Sequence, residues 1–472
     1  MRCVSVRCAE QHEPVVPTSR FQETELDKSV TEMQRILALT QHNLSLTHQP
    51  VHDTNAASNS LRVIGASELD PATFRRFWAR RAPLVVRDVR LQGNWGPQFF
   101  QDRFNTTEAT AVDCETEVVH KITLGNYFKD FAHGASSKVL KLKDFPPATH
   151  MKAALSDLND AFLAAVPASD YTCPNGTRNL ISHYHPQAIS PDLGPKMYVA
   201  HATAQDDGHN GSTRLHVDVT CAVNIMLWAS DLPDDVPGFA LWHLFPPQTL
   251  AIVRAYIRTI VEDDEGDPIH NQTTYLTPSM LRTLQQDHGV SPVVVHQHVG
   301  EAVFIPANWA HQVSNAANAI KVACDFLSAE NLLASVQVAK ELRLQRLSAQ
   351  YGDDVLQLNL SLWTAWSSLS ELRTEILSRA ALASSPTDGA GQGDTPNVMN
   401  DICGNLDNAS DFLDLSADVQ SAEAPSKGGG RKRRRKDAHS QDPIVGLPGD
   451  RFPCPVFECG RDSSRAGIMD HL

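Results

Sequence analysis

The chain has 472 residues, 42% hydrophobic and 20% charged, with a formal net charge of −14. That suffices for one large globular domain with accessory segments, and it argues against wholesale nucleic-acid binding by the body of the protein. No run of about 18 apolar residues occurs and Met1–Arg7 lacks an apolar signal core, so neither a membrane span nor secretion is expected. Nine cysteines, mostly scattered singly, exclude a disulfide framework and fit a reducing compartment.

Residues 1–60 read as a flexible N-terminal segment with one amphipathic helix over Thr24–Leu39, whose Leu26, Val30, Met33, Ile36 and Leu37 share a face. Phe74–Trp78 into Ala82–Val89 reads as a short helix running into a strand. Val112–Val119 and Val139–Leu142 read as strands, and Met151–Val166 as one helix. Alternation of Val217, Val219, Val223, Ile225 and Leu227 predicts a single strand that carries His216 and Asp218 on one face, where two ligands can share a metal. Thr249–Val261 and Pro278–His288 read as packing helices. Between them Glu262–Asp267 is acidic, open to two readings: a solvated insertion, or an attractor for a basic peptide.

Val293–Ile305, with Val299-Gly300-Glu301 at its centre, reads as a hairpin whose second strand ends just before His311. Ala319–Phe326 is an apolar strand with one cation, Lys321. If buried, that ammonium needs a carboxylate partner; on an edge strand it would face solvent. Ser328 is the expected cap of a helix over Ala329–Leu347, and residues 346–382 read as a helical extension with a helix over Val355–Leu377. Residues 383–450, rich in Ser, Gly, Pro, Asp and Asn, are expected to be a disordered basic linker. Its block Arg431–Lys436 reads as a nuclear import signal, or as a solvated tail in weak contact with nucleic acid. Residues 451–472 form an incomplete zinc-finger-like segment, in which Cys454, Cys459 and His471 offer a possible zinc site without a second histidine.

His216, Asp218 and His311 together supply two imidazoles and one carboxylate, the facial triad that leaves positions open on a non-haem iron. The motifs around them are more specific than the triad. Pro191–Tyr198, Leu215–Val219 followed by Ala222-Val223-Asn224, Ala240–His243, Val303–Ala307, His311–Val313 and Ile320–Ala323 resemble the JmjC histone demethylases, in particular the hairless-type, lysine demethylase 3 branch.

The resemblance implies a mainly β fold with helical additions, a double-stranded β-helix (cupin/JmjC) barrel that makes residues 61–345 the catalytic domain. It implies Fe(II), with 2-oxoglutarate and O2 as co-substrates, and demethylation of mono- and dimethyl-lysine on histone H3, at lysine 9. Methylated histone H3 tails and chromatin and transcription regulatory complexes are the partners it implies, in the nucleus and with no membrane. His216, Asp218 and His311 would then be the metal and catalytic residues. Lys321 would hold the co-substrate, with Thr213 and Asn224 assisting. Thr213 is three residues before His216, on the opposite strand face unless the strand bulges, and Asn224 either bonds the co-substrate or stabilises a polar lumen. Tyr198 lines a methyl-lysine pocket or is a core tyrosine, while Trp242 and Trp309 read as packing and His243 and His298 as spare histidines.

Two features depart from the branch. Where many relatives carry their co-substrate lysine this chain has Ala240, which leaves the role to Lys321. Only Cys3 and Cys8 precede Cys114, so the branch's cysteine-rich zinc element is not expected. The alternatives are a 2-oxoglutarate-dependent hydroxylase of a non-histone protein and a catalytically lapsed chromatin scaffold; an intact triad and Lys321 argue against the second.

Overall fold

The computed structural model describes residues 22–47, 61–133, 138–146, 149–184, 189–261, 266–349, 356–383, 452–453 and 462–463. The acidic stretch 262–265, the basic block and most of the terminal Cys/His segment lie outside the described residues. The chain divides into two compact units, Met1–Glu375 and Ile376–Leu472. In the second, the two-residue strands Phe452–Pro453 and Asp462–Ser463 pair. Apart from residues 376–383, which end the last helix, everything that follows concerns the first unit.

Its elements begin with helix α1 (Glu23–Thr47), strand β1 (Arg62–Gly65), α2 (Pro71–Trp78), β2 (Leu84–Arg87) and α3 (Pro97–Phe104). There follow β3 (Glu108–Asp113), β4 (Val119–Thr123), α4 (Leu124–His133), β5 (Leu140–Phe145), α5 (Met151–Ala154), α6 (Ser156–Ala165) and α7 (Ser169–Thr172). The barrel strands are β6 (Lys196–Ala200), β7 (Thr213–His216), β8 (Cys221–Ala229) and β9 (Ala240–Phe245), then β10 (Val293–Gln297), β11 (Ala302–Ile305), β12 (Ala310–Asn315) and β13 (Ala319–Phe326). Helices α8 (Leu250–Ile260) and α9 (Pro278–His288) separate the two groups, and α10 (Leu332–Ala349) and α11 (Leu358–Ala383) follow the barrel.

Two sheets face each other in the double-stranded β-helix. The large one has the order β1-β2-β11-β8-β13-β6-β5-β3-β4, the small one β10-β9-β12-β7. Between them Ala222, Met226, Ala240, Trp242, Leu244, Val303, Ile305, Val313 and Ala319 form one buried cluster that lines the lumen. Period-two alternation sends the intervening side chains outward. Phe304 and Phe326 on the large sheet thus meet Phe74 and Trp78 of α2, at ring separations from 5.2 to 6.0 Å. Phe245 and Ala310 on the small sheet pack beneath α8 and α9 with Leu250, Val253, Ile257 and Leu284. Where the sheets converge beside β10, Gln297 is fully buried. Its oxygen accepts from Trp242 Nε1 at 2.9 Å and its amide donates to the carbonyls of Asn224 at 2.9 Å and Glu301 at 3.1 Å.

Five expectations need correction. Val112–Val119, read as one strand, is the turn of a hairpin, with Val112 near the end of β3 paired to Val119 at the start of β4. The supposed single strand through His216 and Asp218 is two: the chain leaves the small sheet after His216 and enters the large one at Cys221. Likewise β10 and β11 are no hairpin, since β10 pairs with β9 and β11 with β2 and β8; the turn at Gly300 carries the chain across the sandwich. The helix over Met151–Val166 breaks at Leu155, whose φ of −136° leaves the helical region while its side chain is buried in the core. Ser328 makes no cap bond. Its hydroxyl is engaged by the buried Trp78 indole N–H at 3.0 Å, and a short 3-10 turn, Ala329–Asn331, precedes α10. By contrast α9 spans Pro278–His288 as read: Thr277 caps it, Pro278 starts it, and Gly289 at φ 66° ends it.

Candidate metal and co-substrate site

His216 and His311 are direct register partners across the β7/β12 pair, so one inter-strand contact brings together residues far apart in sequence. Their rings lie 4.2 Å apart. Asp218, just past the end of β7, reaches both: its carboxylate oxygens lie 3.7 Å from His216 Nε2 and 3.5 Å from His311 Nε2. All three ligand atoms fall within 4.8 Å of one another, as atoms sharing one ion must when each bond is about 2.0–2.2 Å. Each ring is aimed by the carbonyl two residues before it. His216 Nδ1 donates to Arg214 O at 2.9 Å and His311 Nδ1 to Trp309 O at 3.0 Å, which leaves the Nε2 lone pairs facing the carboxylate. Burial, followed by the charge of His216, lowers the His311 pKa to about 4, so this imidazole is neutral and ready to ligate. The donor set fits a divalent iron.

Thr213 shares the face of the triad. The β7/β12 register slips between His311 and Val313, so Thr213 stands opposite Val313 rather than one residue out of phase. The extra residue falls at Arg214–Leu215, opposite Gln312; just before the strand, Gly211 passes so close that a Cβ would meet Tyr275 at 2.3 Å and the Val313 carbonyl at 2.4 Å. Asn224 faces the lumen opposite Val303 and Ala323, with its carbonyl tied to Gln297. Tyr198 pairs in register with Lys321, on the same face.

Lys321 is buried in the lumen. Its ammonium donates to Asn315 Oδ1 at 2.9 Å and lies 5.6 Å from the centre of the Trp242 ring. Among the described residues it forms no ion pair, so the carboxylate expected from the sequence is not supplied by the protein. Burial lowers its pKa to about 7. Trp242 and Trp309 line the lumen. His243 is buried, and desolvation lowers its pKa to about 4.

Three features were missed in the sequence. Asp325 shares the Lys321 face of β13 by alternation, and its pKa is pushed up to about 8 by burial and then by the charge of Asp218. Asn315 partners Lys321. Finally Asp267, His270 and Glu341 converge with metal-like spacing, yet Arg254 donates at 2.6 Å to both carboxylates and His270 Nε2 lies 3.0 Å from Glu341. A guanidinium already supplies the cation there. Glu341→Gln is therefore expected to leave Mn(II) affinity unchanged in calorimetry while costing about 1–3 kcal/mol of stability; weakened metal binding would make this cluster a second metal site.

Residues 209–326, which contain His216, Asp218, His311 and Lys321, match the family described as "JmjC domain, hydroxylase". The chain carries a JmjC domain. It is 30% identical over 333 residues to lysine-specific demethylase 3A of Gallus gallus, covering 60% of this chain and 25% of that protein. Over 332 residues it is 30% identical to the Homo sapiens protein of that name, with the same shares. Over 340 residues it is 27% identical to the Mus musculus "Probable JmjC domain-containing histone demethylation protein 2C", covering 62% of this chain and 14% of that one. The chain thus spans a quarter or less of the length of these relatives. A JmjC domain implies dependence on Fe(II) and 2-oxoglutarate, which the donor set here accommodates. Among the described residues no helix is long and apolar enough to cross a membrane.

Proposed function

We propose that this JmjC protein is an Fe(II)- and 2-oxoglutarate-dependent oxygenase that removes mono- and dimethyl marks from a lysine of the histone H3 tail, lysine 9, and acts on chromatin in the nucleus as a regulator of transcription. The observation that carries this is the convergence of His216, Asp218 and His311 in the same lumen as an ammonium, Lys321, without a carboxylate of its own. When bound, Fe(II) with 2-oxoglutarate and oxygen supplies the oxidation of an N-methyl group that no side chain can perform. The chain's own residues do the rest. His216, Asp218 and His311 hold the metal on one face; Lys321, with Thr213 and Asn224, orients the co-substrate. The apolar lumen wall of Val303, Ile305, Val313 and Trp242 keeps water out. The resemblance to demethylases supports the choice of methyl-lysine, and the methylated histone tail is the proposed partner.

The family's printed description as a hydroxylase favours one second reading, in which the same residues hydroxylate a side chain of a non-histone protein. Incubation of the full chain with Fe(II), 2-oxoglutarate and H3 peptides methylated at lysine 9 separates the two by mass spectrometry. Loss of methyl groups with release of formaldehyde is expected. Succinate formation without demethylation of any H3 peptide would reject the histone assignment in favour of the second reading.

A further inference from the structure

Asn315 is left unexplained by the triad and Lys321. It ends β12 four residues after His311, on the same strand face, opposite Ala240 as Val313 is opposite Trp242. Its neighbours on that face belong to the lumen cluster. The residue is fully buried, and its backbone is clamped: the N–H donates to Thr203 Oγ1 at 3.2 Å and the carbonyl accepts from Thr203 N at 2.8 Å. As an ammonium Lys321 Nζ can only donate, so the atom 2.9 Å from it is the amide oxygen, which leaves Nδ2 on the other side. Nδ2 has no hydrogen-bond partner among the described residues.

A buried ammonium without a carboxylate and a buried amide N–H without an acceptor therefore stand side by side on lumen-facing strands. Buried donors go unsatisfied only at a cost, and such a pair is the complement of one carboxylate, with an oxygen for each donor. We propose that Asn315 Nδ2 and Lys321 Nζ bind the same distal carboxylate of 2-oxoglutarate. Asn315 thus acts twice, aiming the ammonium through its oxygen and bonding the co-substrate through its nitrogen. The proposal rests on the oxygenase reading above.

The test is calorimetry on the full chain loaded with Mn(II), comparing 2-oxoglutarate with 2-oxopentanoate, which keeps the 2-oxo acid end and lacks the distal carboxylate. The wild-type protein should prefer 2-oxoglutarate. Asn315→Ala should weaken 2-oxoglutarate by about tenfold to a hundredfold, the range for a hydrogen bond to a charged group, and leave 2-oxopentanoate unchanged. Asn315→Asp keeps the volume and gives Lys321 an internal carboxylate. It should raise the melting temperature while abolishing the preference for the diacid, which checks that Lys321 serves the distal carboxylate, whereas the selective loss in Asn315→Ala is what a merely structural amide would not produce. Binding of 2-oxopentanoate verifies that each variant is folded. Equal losses for both acids, or unchanged 2-oxoglutarate affinity, would overturn the role of Asn315. A wild-type protein that binds both acids equally would instead sink the co-substrate reading itself, and this proposal with it.

Discussion

Asp218→Ala is expected to abolish succinate formation and to weaken Mn(II) or Fe(II) binding by more than about 100-fold, because loss of outer-shell partners alone costs about 10–100-fold. The carboxylate reaches both Nε2 atoms and supplies the only negative charge of the triad. Without it, two imidazoles would have to hold a dication alone. The fold should survive, since Asp218 sits in the crossover after β7 with 37% of its side chain exposed. Calorimetry with Mn(II) and circular dichroism read these two outcomes separately. Unaltered metal affinity in a folded variant would remove Asp218 from the ligand set.

Lys321→Met should raise the 2-oxoglutarate requirement by two orders of magnitude or more, as expected when a buried charge pair loses one partner. Metal affinity should be unaffected. The apo-protein should become no less stable, because an apolar chain of similar volume replaces an ammonium that burial disfavours. The pH dependence has a definite sign. With its pKa lowered to about 7 by burial, the folded protein binds fewer protons than the unfolded chain between about 7 and the ordinary lysine value. Stability therefore rises with pH through that window, and the penalty is fully present below it. A bound dianion reverses this by favouring the ammonium. Co-substrate affinity should fall by up to about tenfold per pH unit above 7, with proton uptake on binding. Titration in buffers of differing ionisation enthalpy should detect that uptake in the wild-type protein and not in the methionine variant. A pH-independent affinity would show that Lys321 does not face the diacid.

The four residues of the candidate site could be singled out in the sequence because spacing and residue type carry the chemistry: an acid two residues after a histidine, a second histidine beyond an apolar strand, and one cation inside another. Helix α9 was legible because its cap, proline and terminal glycine all act locally. What escaped was decided by partners. Alternation tells which face a side chain takes and not which strand lies beside it, so the break after His216 and the separation of β10 from β11 were invisible. Asn315 looks like turn polarity in Ser314-Asn315-Ala316, and only its bond to Lys321 on β13 of the other sheet singles it out. The ion network of Asp267, His270, Glu341 and Arg254 joins three distant segments, none of which carries a motif.

The amide of Gln297 ties the edge of the small sheet to the large one. It knits Trp242, Asn224 and Glu301 together beside β10, the edge of the small sheet opposite β7, while the half-exposed carboxylate of Asp218 marks the end that meets solvent. Lys321 and Asn315 are both buried, so in the proposed reaction a small diacid held by them would have to arrive before a peptide lies over Asp218, and its spent form would leave after the peptide has gone. The proposed reaction would then run as a queue, first in and last out, because the buried end of the candidate site is the one filled first.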